Sequence, residues 1–138
     1  MGRAPSLVFV DSGAWMALAA VTYPLHERAA AIWQDLQGTG AKLLTSVLVV
    51  VETFTFLDRR GSRTLALRWR DSLATVSRLR ILDCGDEDLK VAFTHIDRRD
   101  YHRLSLVDAT SFVLMARHHI RYAFAFDAHF VTAGFRLL

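Results

Sequence analysis

Short apolar runs alternate with helix-forming stretches from one end of the chain to the other, and that alternation leaves few folds open. Leu7-Val8-Phe9-Val10 is apolar and β-branched, bounded by Pro5 and Asp11, and reads as a buried strand. Asp11-Ser12-Gly13 then opens a helix to about residue 21, with Asp11 or Ser12 placed to cap it, and Pro24 interrupts it. A second helix is expected over 25–37, ended by Gly38-Thr39-Gly40. A strand over 42–45 leads into a helix over 46–60 that stops at Gly61, and Ser62 can cap another over 63–78. A third strand over 79–82 is followed by Asp86-Glu87-Asp88, which places negative charge at the start of a helix running to about 99. Ser105 caps a helix to 119, a fourth strand covers 121–126, and 135–138 can form a terminal strand. Strands that alternate with helices pair in parallel and are covered on both faces. The fold class expected is therefore α/β, a three-layer α/β/α sandwich with a central parallel sheet of four to five strands, in a single domain over 1–138.

In open parallel sheets, ligands bind beyond the carboxyl ends of the strands. Asp11 and Asp127 directly follow the first and fourth strands, and Asp108 falls in the first turn of the helix entering the fourth. Each has an ordinary alternative: Asp11 as a helix cap, Asp108 in a variant of the capping box Ser105-Leu106-Val107-Asp108, Asp127 in a turn. Glu52 is harder to dismiss. Its helix neighbours Leu48, Val49, Thr55 and Phe56 offer no counter-charge, and Val47-Leu48-Val49-Val50-Val51 reads as buried. A carboxylate held against apolar surface is paired, protonated or bound to a metal.

Four acids at the margins of buried elements suit a divalent cation. Mg2+ and Mn2+ prefer hard oxygen ligands, and such ions activate water and stabilise the leaving oxygen of a phosphodiester. Ser12, Thr45 and Ser46 stand at helix starts, where a hydroxyl can orient water or phosphate; capping is the alternative for each and the stronger one for Ser46. His129, two residues beyond Asp127, is a further candidate for substrate contact. With four of the 14 acids drawn into one cleft, ten face 17 bases elsewhere, an excess of +7 that suits a polyanionic substrate.

Val10-Asp11-Ser12-Gly13, Thr45-Ser46 followed by Glu52, Leu104-Ser105-Leu106-Val107-Asp108-Ala109 and Phe126-Asp127-Ala128-His129-Phe130 occur in the order and at the spacing of a PIN domain. The chain resembles the VapC-type ribonuclease toxins of bacterial toxin–antitoxin pairs over essentially its whole length. That resemblance implies an Mg2+- or Mn2+-dependent endoribonuclease, a VapB-type antitoxin partner whose tail blocks the site, and a homodimer. It implies the acidic quartet Asp11, Glu52, Asp108 and Asp127 as catalytic metal-holding residues, with Asp11 and Asp108 as direct ligands. Ala125 departs from the family, which often has Ser or Thr two residues before the last Asp. The alternatives are a PIN nuclease for RNA processing or DNA ends, and a catalytically degenerate nucleic-acid-binding module.

Other classes are excluded on the residues. The lone Cys84 cannot form an internal disulfide, and no Cys/His spacing suits zinc, which fits a cytoplasmic protein. Met1-Gly2-Arg3-Ala4-Pro5 does not open a signal peptide, and no apolar run approaches a membrane span. Arg59, Arg60, Arg63, Arg68 and Arg70, and separately Arg98, Arg99 and Arg103, can reach phosphates or simply solvate helix faces. His118 and His119 point to different faces and make a poor metal pair. Trp15, Trp33 and Trp69 fit helical patterns and read as core or interface residues.

Overall fold

The computed structural model describes residues 4–138; Met1, Gly2 and Arg3, on which part of the leader reading falls, lie outside the described residues. Five strands, β1 (Leu7–Val10), β2 (Lys42–Ser46), β3 (Leu79–Leu82), β4 (Tyr122–Phe124) and β5 (Arg136–Leu137), form one sheet in the order β3-β2-β1-β4-β5. Every pairing is parallel. The helices are α1 (Ser12–Ala19), α2 (His26–Thr39), α3 (Val47–Phe56), α4 (Arg63–Leu73), α5 (Asp86–Ile96), α6 (Leu106–Arg117) and α7 (His129–Thr132). Right-handed crossovers put α1 to α4 on one face and α5 to α7 on the other, giving the three layers expected.

The central strands β1, β2 and β4 are mostly buried, while β3 and β5 at the edges are largely exposed. Phe9, Leu43 and Phe124 are wholly inside, and Phe112, Leu114, Met115 and Phe130 close over them from the α6–α7 side. On the other face Trp15 meets Trp33 and Trp69 with ring centroids 5.7 and 6.0 Å apart, so the three tryptophans are core residues joining α1, α2 and α4. No helix of the described residues is long and apolar enough to cross a membrane.

Several boundaries differ from the sequence expectation for local reasons. The helix expected over 63–78 ends at Leu73. Ser72 Oγ there donates to the Trp69 carbonyl at 2.6 Å and Thr75 Oγ1 to the Ser72 carbonyl at 2.7 Å, side-chain bonds that compete with the helical ladder. The helix expected over 46–60 changes to a π-helical turn at Leu57–Gly61. The fourth strand covers only Tyr122–Phe124, and the residues after it fold into α7, a single turn too short for a periodic signal.

Asp88 shows how the α5–α6 face is fastened. It is buried, its Oδ2 accepts the Gly85 N–H at 3.0 Å, and Arg117 Nη1 from the end of α6 approaches both its oxygens at 2.7 Å. The Gly85 N–H and the Arg117 guanidinium hold its carboxyl below the ordinary range. Asp88→Ala removes the cap and the charged bond together, and a loss of about 2 kcal/mol is expected, read as a lower thermal midpoint. An unchanged midpoint would contradict it.

Candidate active site

The chain runs outward from β1 through β2 to β3, then returns to pair β4 against the other edge of β1. The carboxyl ends of β1 and β4 therefore flank the point where the strand order reverses, the place where an open parallel sheet leaves a crevice. Asp11 leaves β1 there, its backbone N–H donating to the Phe124 carbonyl at 3.0 Å, and Asp127 follows β4. Glu52 reaches the crevice from the middle of α3 and Asp108 from the first turn of α6.

The side chains are freed by their neighbours. Asp11 is the N-cap of α1 in position only: its backbone is extended (φ −85°, ψ 163°), but its carboxylate makes no capping bond. In α6 the Ser105 hydroxyl accepts the Asp108 N–H at 3.0 Å, so serine caps the helix and leaves the aspartate free. The Ser12 hydroxyl donates to Glu52 Oε1, joining α1 to α3 across the site. Asp127 Oδ1 accepts the His129 N–H at 2.8 Å, which fixes the turn into α7.

All four acids line one hollow of about 400 Å³ together with Ser12, Ser105 and Phe126, and its lining includes no lysine or arginine. Burial, opposed in part by the Ser12 and Gly13 N–H groups and reinforced by the charges of Glu52 and Asp127, pushes the Asp11 carboxyl up to about 7. Burial raises Asp108 further, to about 9, with Asp11, Asp127 and Glu52 adding to it. Asp11 Oδ1 is buried without a hydrogen-bond partner. An orphaned carboxylate oxygen among three further acids fits a hard cation, which would satisfy that atom and relieve the repulsion at once. Asp108, Asp127 and His129 each bring a ligating atom within 4.8 Å of the other two.

The remaining expected residues divide. Ser12 lines the hollow, as above. Thr45 and Ser46 do not: both are fully buried, Thr45 Oγ1 donating to the Val10 carbonyl at 2.8 Å and accepting from Trp15 Nε1, and Ser46 capping α3 through the Val49 N–H. Their hydroxyls hold β2 and α3 in place: Thr45 has a structural role in place of the substrate contact considered for it, and Ser46 caps its helix. His129 lies half-buried behind Asp127, where its Nε2 faces the His102 carbonyl at 2.8 Å. Ser105 is the lining residue that the sequence reading left as a mere cap; its position three residues before Asp108 was the available signal.

The sequence profile of the PIN domain matches residues 8–136. The chain belongs to the PIN domain family. Among curated relatives of this PIN domain, the protein described as the 23S rRNA-specific endonuclease VapC20 of Mycobacterium tuberculosis (strain CDC 1551 / Oshkosh) is 35% identical over 130 residues, covering 94% of this chain and 95% of the relative. A crystal structure of Mycobacterium tuberculosis VapC20, described as a Sarcin-Ricin loop cleaving toxin, superposes with a TM-score of 0.82 at 30% identity, over 93% of this chain and 95% of that one. VapBC2 from Rickettsia felis, solved bound to a DNA fragment from its promoter, shares the PIN fold at a TM-score of 0.66 and 11% identity, over 96% of this chain and 97% of that one.

Proposed function

We propose that this PIN domain is a metal-dependent endoribonuclease, the toxin of a VapBC-type pair, with structured ribosomal RNA as its substrate class. The observation that carries the reading is the hollow, lined by no lysine or arginine, into which Asp11, Glu52, Asp108 and Asp127 converge at the strand-order reversal. The likeness to VapC20 along nearly the whole of both chains supports the choice of RNA over DNA. A toxin of that kind works in the cytoplasm, restrained by a VapB-type antitoxin, and as a homodimer.

Asp11 and Asp108 are the residues that would hold Mg2+ or Mn2+ directly, with Glu52 and Asp127 completing the oxygen-rich wall. When bound, the cation supplies water of lowered pKa and neutralises charge at the phosphorus. The chain's own groups do the rest. The Ser12–Glu52 bond sets the Glu52 carboxylate towards the hollow. Ionised carboxylates can accept the proton that water gives up as it attacks. The P–O3′ bond then breaks and the departing O3′ takes up a proton from water, leaving a 5′-phosphate and a 3′-hydroxyl. At the mouth, Glu52 borders a shallow groove where Leu48, Val51 and Val107 offer an apolar shelf to a base and Arg59 and Arg60 can reach phosphates.

Incubation of the purified protein with total ribosomal RNA in Mg2+, Mn2+ or chelator tests the reading. Discrete cuts carrying 5′-phosphates are expected with metal and none with chelator. Equal cutting in chelator, or intact RNA with both metals, would contradict it.

A further inference from the structure

We propose that the rim of the sheet opposite the candidate active site is a second RNA-binding surface, where cations at the strand starts hold phosphates of a structured RNA away from the scissile bond. The proposal rests on the ribonuclease reading given above. All five strands are parallel, so their amino ends share one edge however far apart they lie in sequence. Leu7 pairs with Lys42, Leu43 with Leu79 and Val8 with Tyr122, which sets Arg78, Lys42, Leu7 and Arg121 level across β3, β2, β1 and β4. Arg136 of β5 pairs one step further along, its backbone N–H donating to the Arg121 carbonyl at 2.9 Å. With neighbouring strands about 4.8 Å apart, the row spans about 19 Å.

Lys42, Arg78, Arg80, Arg121 and Arg136 are all exposed, and among the described residues none of them forms an ion pair. At the β3 end the row opens into a hollow of about 520 Å³, in which Lys42, Arg78, Arg80 and His118 surround a floor of leucines and no carboxylate takes part. Burial, with the charges of Arg117 and Arg80 and against that of Asp88, pushes the His118 imidazole below its ordinary pKa. Arg78 (φ 63°) and His119 (φ 57°) are held left-handed at this edge, an uncommon setting for residues other than glycine.

The catalytic hollow offers a polyanion no base to bind, since its lining includes no lysine or arginine. Affinity for RNA must come from cations elsewhere, and among the described residues those of the opposite rim stand without an ion pair, as do Arg59 and Arg60 at the mouth of the site. Strand lengths of four or five residues separate the two rims by about 15 Å of sheet. A short single strand in the active site cannot reach the rim; a folded RNA that continues past the cut can. Exposed guanidinium and ammonium groups read phosphate without base sequence, so this surface strengthens binding and leaves cut-site choice to the cleft.

The test is binding of the full chain to a fluorescently labelled ribosomal RNA fragment of about 60 nucleotides, in chelator, across a range of salt concentrations. Lys42→Glu/Arg80→Glu and Arg121→Glu/Arg136→Glu are compared with Arg70→Glu/Lys90→Glu, which changes net charge equally away from the rim, and thermal melts verify folding. Each rim pair is expected to weaken binding at least about tenfold and to lower the slope of log K against log salt by about 2, beyond any effect of the control pair. A smaller loss in both rim pairs, or an equal one in the control, overturns the proposal. Cleavage of the same RNA by the unaltered chain in Mg2+ is scored separately. Rim-dependent binding without cleavage would sink the ribonuclease reading and leave the rim, whereas cleavage with undiminished binding by both pairs would sink the rim alone.

Discussion

Asp108→Asn is expected to lower RNA cleavage by at least about 10³-fold while leaving the chain folded. The substitution keeps the size of the side chain and the Ser105 cap on its backbone N–H, so α6 should start where it does now. What it removes is one of the two most buried acids of the hollow, held between Asp11 and Asp127. Asp11→Asn should behave alike, because its orphaned Oδ1 is the oxygen most in need of a cation. Single-turnover cleavage of a ribosomal RNA fragment, beside a melt in chelator, checks both. Activity within tenfold of the unaltered chain in either variant would mean that these carboxylates do not carry the reaction.

Without divalent metal, the protein is expected to lose stability steadily as pH rises from about 4 to about 9. The sign follows from the folded carboxyls. Asp108 is raised to about 9 and Asp11 to about 7, both from an ordinary 3.8. Each stays protonated in the folded chain after its unfolded counterpart has ionised, so its contribution to stability is whole below pH 4 and is lost as pH climbs through the folded value. Each such group lowers stability progressively within its own window. Thermal midpoints in chelator should therefore fall between pH 5 and pH 8.5, and Asp108→Asn should flatten the upper part of that decline. Glu52→Gln should raise the midpoint near pH 8, since it keeps an acceptor for Ser12 and deletes a charge that acts on both aspartates. A metal-free midpoint flat across this range would contradict the burial of both groups.

The parallel sheet was legible because each strand is a short apolar run between helical stretches, and three of the acids could be placed on one rim, Asp11 and Asp127 from strand ends and Asp108 from a helix start. Glu52 could be suspected from its apolar neighbours, but its meeting with Ser12 depends on how α3 crosses α1, a tertiary fact. Thr45 and Ser46 were ambiguous for the opposite reason. A hydroxyl at a helix start looks the same in sequence whether it faces a ligand or, as here, the Val10 carbonyl and the Val49 N–H. The family resemblance supplied the toxin reading, which no periodicity could. The basic row at the far rim was invisible from the sequence because Lys42, Arg78, Arg121 and Arg136 become neighbours only through strand register.

Calorimetric titration of the metal-free protein with Mn2+ at pH 7.5, repeated in two buffers of different ionisation enthalpy, probes the hollow most directly. Saturable binding is expected, with release of about one proton as the buried Asp108 gives up its hydrogen, and with both heat and proton release lost in Asp11→Asn and Asp108→Asn. Saturable binding that survives unchanged in both variants, or no binding at all, would contradict a cation site built from these carboxylates.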